Sequence, residues 1–497
     1  MKILYYNWAD YLSEEGGGVT VYIKNILNSQ ILLDHEVFMI SSGNTYSFSK
    51  KSFWRELHTK NKSSTRRFEI VNSQVIAPAC EAFGNKFEIE CPDNSEVFLN
   101  FLHANGPFDI IHFHNIEGLS LSTIKIAKRY CKNSLFIFSA HNYFPLCPQV
   151  NLWIQGKNTS CEDYNNGKLC SSCSIKTSQF IKIRKIIKPK INILNNKLLK
   201  HSIKYMLHFS YKYTKKITNI FTKNENIFIE HEKNEENYFE MRRRKYIQAL
   251  NEYFDIILCV SDRVKEIYQN YGVDKEKLIT NYIGTPHAKN FPTIKRGNLL
   301  NSEGGLTLTY LGYARHDKGF FFLMDALEKL PNILAKKIAI QLAVRVDRST
   351  DVPLRIAALQ KKLGHVHHTD GYTHDQLREI LKKTDIGIIP VLWEDNLPQV
   401  ALEMHCYGIP LLCSDMGGAP ELANNPNFIF KHGSTDDFIN KLEMILDKKL
   451  TTESYWANAL HPVDMEKHVD FLLATYQYFL KKKLIFPNNT PGKCSPS

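Results

Sequence analysis

The sequence predicts an α/β protein made of two facing, doubly wound units, with a basic helical insertion in the first. Three observations carry this. The chain has 497 residues, too many for a single core, and 43% of them are hydrophobic, enough for two. Near-continuous apolar strands alternate with amphipathic helices, the mark of parallel sheets covered on both faces. That rhythm stops after residue 147, resumes near residue 254 and starts afresh near residue 304.

The first unit opens on the strand "KILYYNW" and turns through "EEGGG" into the helix "VTVYIKNIL". "HEVFMISSG", "FDIIHFHN", "SLFIFSAHN" and "FDIILCVSD" read as its further strands, while residues 44–94 are irregular enough for a hairpin or loops. In the second unit "LTLTYLG", "KIAIQLAVRV", "DIGIIPVLW" and "IPLLCSD" are strands; "KGFFFLMDALEKL" and "DQLREILKKT" are helices. The boundaries expected are 1–285 for the first unit and 286–480 for the second. The cysteine cluster spans 147–173, the insertion 176–250, and 481–497 forms a disordered tail. The helix "VDMEKHVDFLLATYQYFLKK" is expected to close the structure. Such paired sheets leave a cleft at the carboxyl ends of their strands, where ligands bind.

No apolar run approaches the roughly 18 residues that span a bilayer. "MKILYYNWADYL" reads as a strand and not a signal peptide, so a cytoplasmic location is expected. The formal net charge is +12, and thirteen Lys or Arg with no Asp or Glu fall between Lys176 and Asn224. Such a surface suits something anionic: a membrane, a lipid-linked diphosphate or nucleic acid. Alternating aliphatic and basic residues there fit peripheral attachment to the inner face of a membrane, and equally an ordinary solvated helix. Nucleic acid is a third reading, but no nucleic-acid motif accompanies the charge and none is expected as a partner.

Of eleven cysteines, Cys147, Cys161, Cys170 and Cys173 cluster as C-x13-C-x8-C-x2-C. The C-x2-C end and four thiolates suit a structural zinc; an iron–sulfur cluster and four free thiols are the alternatives.

Four short stretches carry the chemistry. Gly16, Gly17 and Gly18 stand between the first strand and first helix, either as a tight turn or as a loop approaching a ligand at a helix N-terminus. Arg315 and Lys318 follow a strand and precede a helix; they are solvated charges or the partners of a diphosphate. In "WEDNLPQVALEMHCYGIP", Asp395 or Asn396 could cap the helix, but Glu403 falls on its apolar side, where a buried acid needs a partner such as a ribose diol or Lys318. "SDMGGAPEL" adds a second glycine loop, at Gly417 and Gly418.

"DKG", "DNLPQVALE" and "GGAPE", in that order, make the second unit resemble the retaining glycosyltransferases of family four, the group 1 enzymes of GT-B fold. "GGG" and "AHNYFPLCP" resemble the first-domain loops of that family, so the likeness covers most of the chain outside the Lys-rich insertion. It implies transfer of a hexosyl unit from a UDP- or GDP-sugar to a saccharide or lipid-linked acceptor with retention, in surface polysaccharide, lipopolysaccharide or glycolipid assembly. It assigns Gly16, Gly17 and Gly18 to the loop beside the diphosphate and acceptor, and His141 to the sugar's reactive carbon. His141 could also be a satisfied core histidine. Arg315 and Lys318 would neutralise the diphosphate, Glu403 would bind the ribose, and Asp395 would touch the donor sugar. Backbone groups near Met416, Gly417 and Gly418 would hold sugar or phosphates, and base contacts would be mostly backbone near "DGYTHDQL". No catalytic metal is expected. Two departures stand out: the first acid is Asp395 where the family has Glu, with Glu394 one place earlier, and Tyr313 holds the usual place of the arginine, leaving Arg315 nearer the lysine. A basic zinc-knuckle protein that binds membrane or nucleic acid is the non-catalytic rival, and a GT-B epimerase the enzymatic one.

Overall fold

The computed structural model describes residues 1–13, 15–31, 35–49, 51–58, 65–162, 167, 170, 173, 185, 237–293, 298–347 and 349–485. Two mostly parallel sheets form two lobes. The first has the strand order β10-β9-β6-β5-β1-β2-β4-β3. Its centre is β1 (Lys2–Tyr6), β5 (Ile110–Phe113) and β6 (Leu135–Ala140); β9 (Ile256–Cys259) and β10 (Leu278–Thr280) extend one side. On the other side lie β2 (Glu36–Thr45), β4 (Arg66–Val71) and the antiparallel edge β3 (Phe53–Glu56), the hairpin allowed for in the irregular stretch. The central strands are apolar on both faces because helices cover both, and β5 and β6 are buried at every position.

The second lobe has the order β13-β12-β11-β14-β15-β16, all parallel. Here β11 (Leu306–Tyr313), β14 (Ile386–Ile389) and β15 (Leu411–Ser414) aim their carboxyl ends at the first lobe. β12 (Ile338–Arg345) and β13 (His365–Thr369) form one side, and β16 (Ile429–Phe430) the other edge.

The expected unit boundary at 480 is corrected. The helix Met465–Ile485 leaves the second lobe and lies on the first, against β6 and the helix Gly17–Ile31. Val469, Leu472, Leu473 and Tyr476 are buried there, covering a sheet face that would otherwise meet water. The Tyr476 hydroxyl reaches His112 Nδ1 at 2.7 Å, and His468 Nε2 meets the Tyr22 hydroxyl at 2.7 Å. The expected tail also starts too early: residues 481–485 are helical, with Lys483 Nζ 2.6 Å from the Ser134 carbonyl. Residues 486–497 lie outside the described residues.

Most of the basic insertion also lies outside the described residues. Two parts are described. The helix Tyr238–Tyr253 follows the expected charged stretch and returns the chain to the sheet. Lys185, one of the thirteen cations, is buried in the first lobe, where its ammonium donates to Asn44 Oδ1 at 2.5 Å and the Ala77 carbonyl at 2.8 Å. That charge is not offered to a surface. Among the described residues no helix is long and apolar enough to cross a membrane.

Candidate active site

Between the lobes lies a cavity of about 1240 Å³. The first lobe contributes Gly17, Gly18, Tyr22, His141 and Asn142; the second contributes Arg315, Lys318, Asp395, Gln399 and Glu403. Each arrives at a carboxyl end of a strand or at the helix that follows, as the doubly wound topology dictates.

Gly17 has φ +58° and opens the helix Gly17–Ile31, so the chain turns there at little steric cost. Gly18 faces the other lobe: a Cβ on it would stand 2.9 Å from Gln399 Cγ. On the opposite wall the loop after β11 carries Lys318. Its ammonium donates to Asp395 Oδ2 at 2.6 Å and sits 4.8 Å from the centre of the Trp393 ring. Gly319 makes this possible. It has φ +71°, and a Cβ there would fall 1.6 Å from the Pro390 carbonyl oxygen. Any side chain at 319 would push the lysine loop off the acid loop.

The acids of "WEDNLP" have separate surroundings. Pro398 is the N-cap of the helix Gln399–Cys406 and no side-chain cap hydrogen bond forms, so neither Asp395 nor Asn396 caps it. Glu394 faces away from the cavity and is bidentate to Arg263 of the first lobe, at 3.0 and 2.5 Å, while its Oε2 also accepts from the Gly417 amide at 3.0 Å. Asp395, one position later, meets Lys318 in the cavity. Glu403 is buried and on the cavity wall, as its place on the apolar side of the helix predicts. Arg315 also lines the cavity, with its guanidinium turned to Asp317 at 2.9 and 2.5 Å.

Four expected site residues do not line the cavity. Gly16 turns the chain just outside it. Met416, Gly417 and Gly418 lie behind the acid loop. A Cβ on Gly417 would stand 2.1 Å from the Asp395 carbonyl oxygen, and one on Gly418 2.2 Å from that of Asn396. These glycines admit a neighbouring backbone, and the Gly418 amide donates to the Asp395 carbonyl at 2.8 Å.

Several residues at or near the site have partners that the sequence does not announce, although Glu421 stands in "GGAPE" and Asn142 in "AHNYFPLCP". Glu421, in the helix after the second glycine loop, accepts the Arg263 amide at 2.7 Å, the Asp262 amide at 3.0 Å and the Tyr282 hydroxyl at 2.7 Å. Its carboxylate thus sits on the N-terminus of a first-lobe helix, Asp262–Asn270, where negative charge is favoured. With the Ser261 hydroxyl on the Asn396 carbonyl at 2.8 Å, this network ties the acid loop to the first lobe. Asn142 is held by Glu117 at 2.8 Å, a buried acid whose pKa burial pushes up to about 7.

His141 stands in a cluster of rings. Its Nε2 is 3.2 Å from His114 Nδ1, and its ring meets that of Tyr22 at 4.9 Å. Burial, helped by His468, pushes its pKa down to about 3, and burial pushes His468 and His405 to about 4. The imidazoles are therefore neutral near pH 7. Unfolding exposes them to protons that the folded chain does not take up. Their stabilising effect is complete above the ordinary value of 6.5 and is lost as pH falls below it. Each should cost ~1.4 kcal/mol per pH unit until its folded pKa is reached. The melting temperature is expected to drop steadily from pH 6.5 to 4.5, and a His468→Asn variant to show a shallower slope. A flat profile would contradict this.

Away from the cleft, Cys147, Cys161, Cys170 and Cys173 surround one small cavity with Arg243.

Comparison with known proteins places this geometry. Residues 292–460 match the family described as glycosyl transferases group 1. The chain is 27% identical over 213 residues to the O-antigen biosynthesis glycosyltransferase WbnH of Escherichia coli, a match that spans 41% of this chain and 53% of that protein. WbiN of the same organism, a probable O-antigen biosynthesis glycosyltransferase, matches equally. Among solved structures, Anabaena HepE in complex with UDP and glucose superposes with a TM-score of 0.52 at 12% identity, covering 96% of this chain and 99% of that one. The trehalose 6-phosphate synthase of Burkholderia multivorans gives 0.57 at 9% identity, covering 99% of each chain. The segment that carries Lys318, Asp395 and Glu403 therefore matches the group 1 glycosyl transferases, and the two lobes have the GT-B fold.

Proposed function

We propose that the chain is a retaining glycosyltransferase that moves a hexosyl unit from a nucleoside-diphosphate sugar to an acceptor hydroxyl in surface polysaccharide or glycolipid assembly. The observation that carries this is the convergence of Lys318, Arg315, Asp395, Glu403 and His141 on one cavity between two lobes. The O-antigen relatives and the UDP bound by Anabaena HepE support the donor class and the setting.

The groups divide the work by their chemistry. Glu403 is a buried carboxylate suited to accept from ribose hydroxyls. Tyr372, on the loop after β13, lines the same cavity, and the nucleobase would lie against the backbone of that loop. Lys318 would leave Asp395 for the diphosphate, and Arg315 would swing from Asp317 to join it. Asp395, released, would accept from a hydroxyl of the sugar. The bond from the anomeric carbon to the phosphate oxygen breaks, and the acceptor oxygen bonds to that carbon on the same face. The acceptor's proton passes to the departing diphosphate. The protein's part is to hold the two substrates and to stabilise charge on the leaving group. Neutral His141, on the first-lobe wall, can hydrogen-bond near the reacting carbon without adding charge.

The test is nucleotide binding. UDP or GDP is expected to raise the melting temperature of the wild type, and Glu403→Ala is expected to remove at least tenfold of that affinity, worth about 1.4 kcal/mol. Slow hydrolysis across a panel of nucleotide-sugars then identifies the donor. A shift with oligonucleotide and none with either nucleotide would overturn the reading. Attachment to an anionic membrane remains part of the proposal only through the basic insertion, and sedimentation with anionic vesicles tests it.

A further inference from the structure

We infer that His468 and Tyr22 are positioning residues for the first-lobe wall of the cleft: the His468 imidazole holds the Tyr22 hydroxyl, and the Tyr22 ring holds the imidazole of His141. The inference rests on the reading that His141 stands beside the reacting carbon, and it adds what keeps that ring in place. β6 ends at Ala140, so His141 is the first residue beyond the strand. The chain then runs without helix or strand to the small hairpin of β7 (Trp153–Ile154) and β8 (Thr159–Ser160). The direction of the imidazole therefore depends on the side chains packed around it.

Tyr22 is at the centre of those side chains. It stands on the helix Gly17–Ile31, is buried, and lines the cavity. Its ring meets those of His141, His468 and His114 edge to face, with centres 4.9, 5.4 and 5.8 Å away. Its hydroxyl is 2.7 Å from His468 Nε2. Burial keeps both imidazoles neutral near pH 7 and the phenol protonated. The contact is thus a neutral hydrogen bond, and it adds no charge beside the reacting carbon.

His468 is itself anchored where the chain crosses between the lobes. Its amide donates to the Asp464 carbonyl at 2.9 Å, and Asp464 pairs with Thr285 on the segment that leads from the first sheet to the second. The Thr285 amide donates to the Val463 carbonyl at 3.0 Å. Gly284 leaves room for this crossing: a Cβ there would run into the Cβ of His468. Backbone on one side and Tyr22 on the other fix the imidazole. Without His468 the phenol would lose its buried partner and its fixed direction. A small displacement of a group beside a reacting atom is enough to slow the reaction steeply.

The test uses the full chain and the nucleotide-sugar found in the hydrolysis panel. Tyr22→Phe, which keeps the ring and loses one oxygen, and His468→Ala should each lower kcat roughly 10- to 100-fold. KM and the melting shift with UDP or GDP should stay unchanged, since the second lobe holds the nucleotide. His468→Gln, whose amide can reach the hydroxyl, should recover part of the rate. The double variant should be no slower than His468→Ala, because the two residues act as one unit. With isotopically labelled histidine, the His141 ring signal, identified by its loss in His141→Gln, should move in both single variants. A lowered melting temperature at unchanged kcat, a raised KM at unchanged kcat, or an unmoved His141 signal in a folded variant would each overturn the inference. If His468→Ala does not fold, Tyr22→Phe decides. A wild type that binds neither UDP nor GDP would overturn the donor reading instead, and the His141 signal then decides this inference alone.

Discussion

Lys318→Ala is expected to lower turnover by roughly 100- to 1,000-fold, the range seen when one preorganised group opposing transition-state charge is removed. In the cleft Lys318 is paired with Asp395 at 2.6 Å and lies over Trp393, so the two charges balance each other. The Lys318 side chain is 27% exposed, and partly exposed pairs contribute about 1 kcal/mol or less. A fold that loses this pair should keep nearly all its stability. A leaving diphosphate that loses its cation should not leave readily. Measuring kcat with the donor found in the hydrolysis panel, beside thermal unfolding, separates the two effects. Lys318→Arg should recover part of the rate, since the charge is kept. Parallel loss of melting temperature and activity would mean that the lysine is structural, and the diphosphate role would fall with it.

Gly319 extends the same argument to the motif around it. Because a Cβ would run into the Pro390 carbonyl, the glycine in "DKG" exists to bring two loops together, which sets the lysine against Asp395. The glycines of "GGAPE" have the same kind of reason one layer further back. From the letters alone, a glycine loop before a helix suggests close approach to a ligand. A ligand and a neighbouring backbone make the same demand on the chain, and only the fold shows that Gly417 and Gly418 meet Asp395 and Asn396.

What could be read from the sequence was whatever repeats locally. The buried run of β1, the alternation of strand and helix, and the position of Glu403 on the apolar side of its helix all follow from periodicity, and each lies where it was expected. What could not be read joins residues far apart in the chain. Tyr22 and His468 are 446 positions apart, Arg263 and Glu394 131, and Glu421 caps a helix 159 positions upstream. Glu394 and Glu421 stand in recognisable motifs and the others in ordinary segments, yet no local pattern marks any of their partners. The helix Met465–Ile485 shows the same limit. Its apolar face announces that it must pack, but the sequence does not say on which lobe. Lys185 shows it for charge: composition counts it with the solvated cations, and the fold buries it.

Arg242→Ala is expected to destabilise the protein more than any change in the cleft, by roughly 3–5 kcal/mol. Arg242 and Glu88 pair through Nε and Oε2 with side-chain exposures of 1% and 2%, so water relieves neither charge. The guanidinium also donates to the Phe144 carbonyl at 3.0 Å and lies over the rings of Phe144 and Tyr246 at 4.6 and 4.3 Å. Truncation removes the ring contacts and leaves a carboxylate buried without its counter-charge, which is the larger cost. The origin of the loss can be checked by replacing both partners: Glu88→Leu with Arg242→Met removes the charges together and should recover most of the stability, since desolvating a buried pair offsets much of its attraction. Denaturant unfolding of the wild type, the single variant and the double variant reads both effects. A double variant as unstable as the single one would show that the ring packing and the Phe144 hydrogen bond, rather than the stranded carboxylate, account for the cost. Phe144 is three residues from His141, so the single variant should also lose turnover at temperatures where it is still folded, by loosening the wall that presents the imidazole.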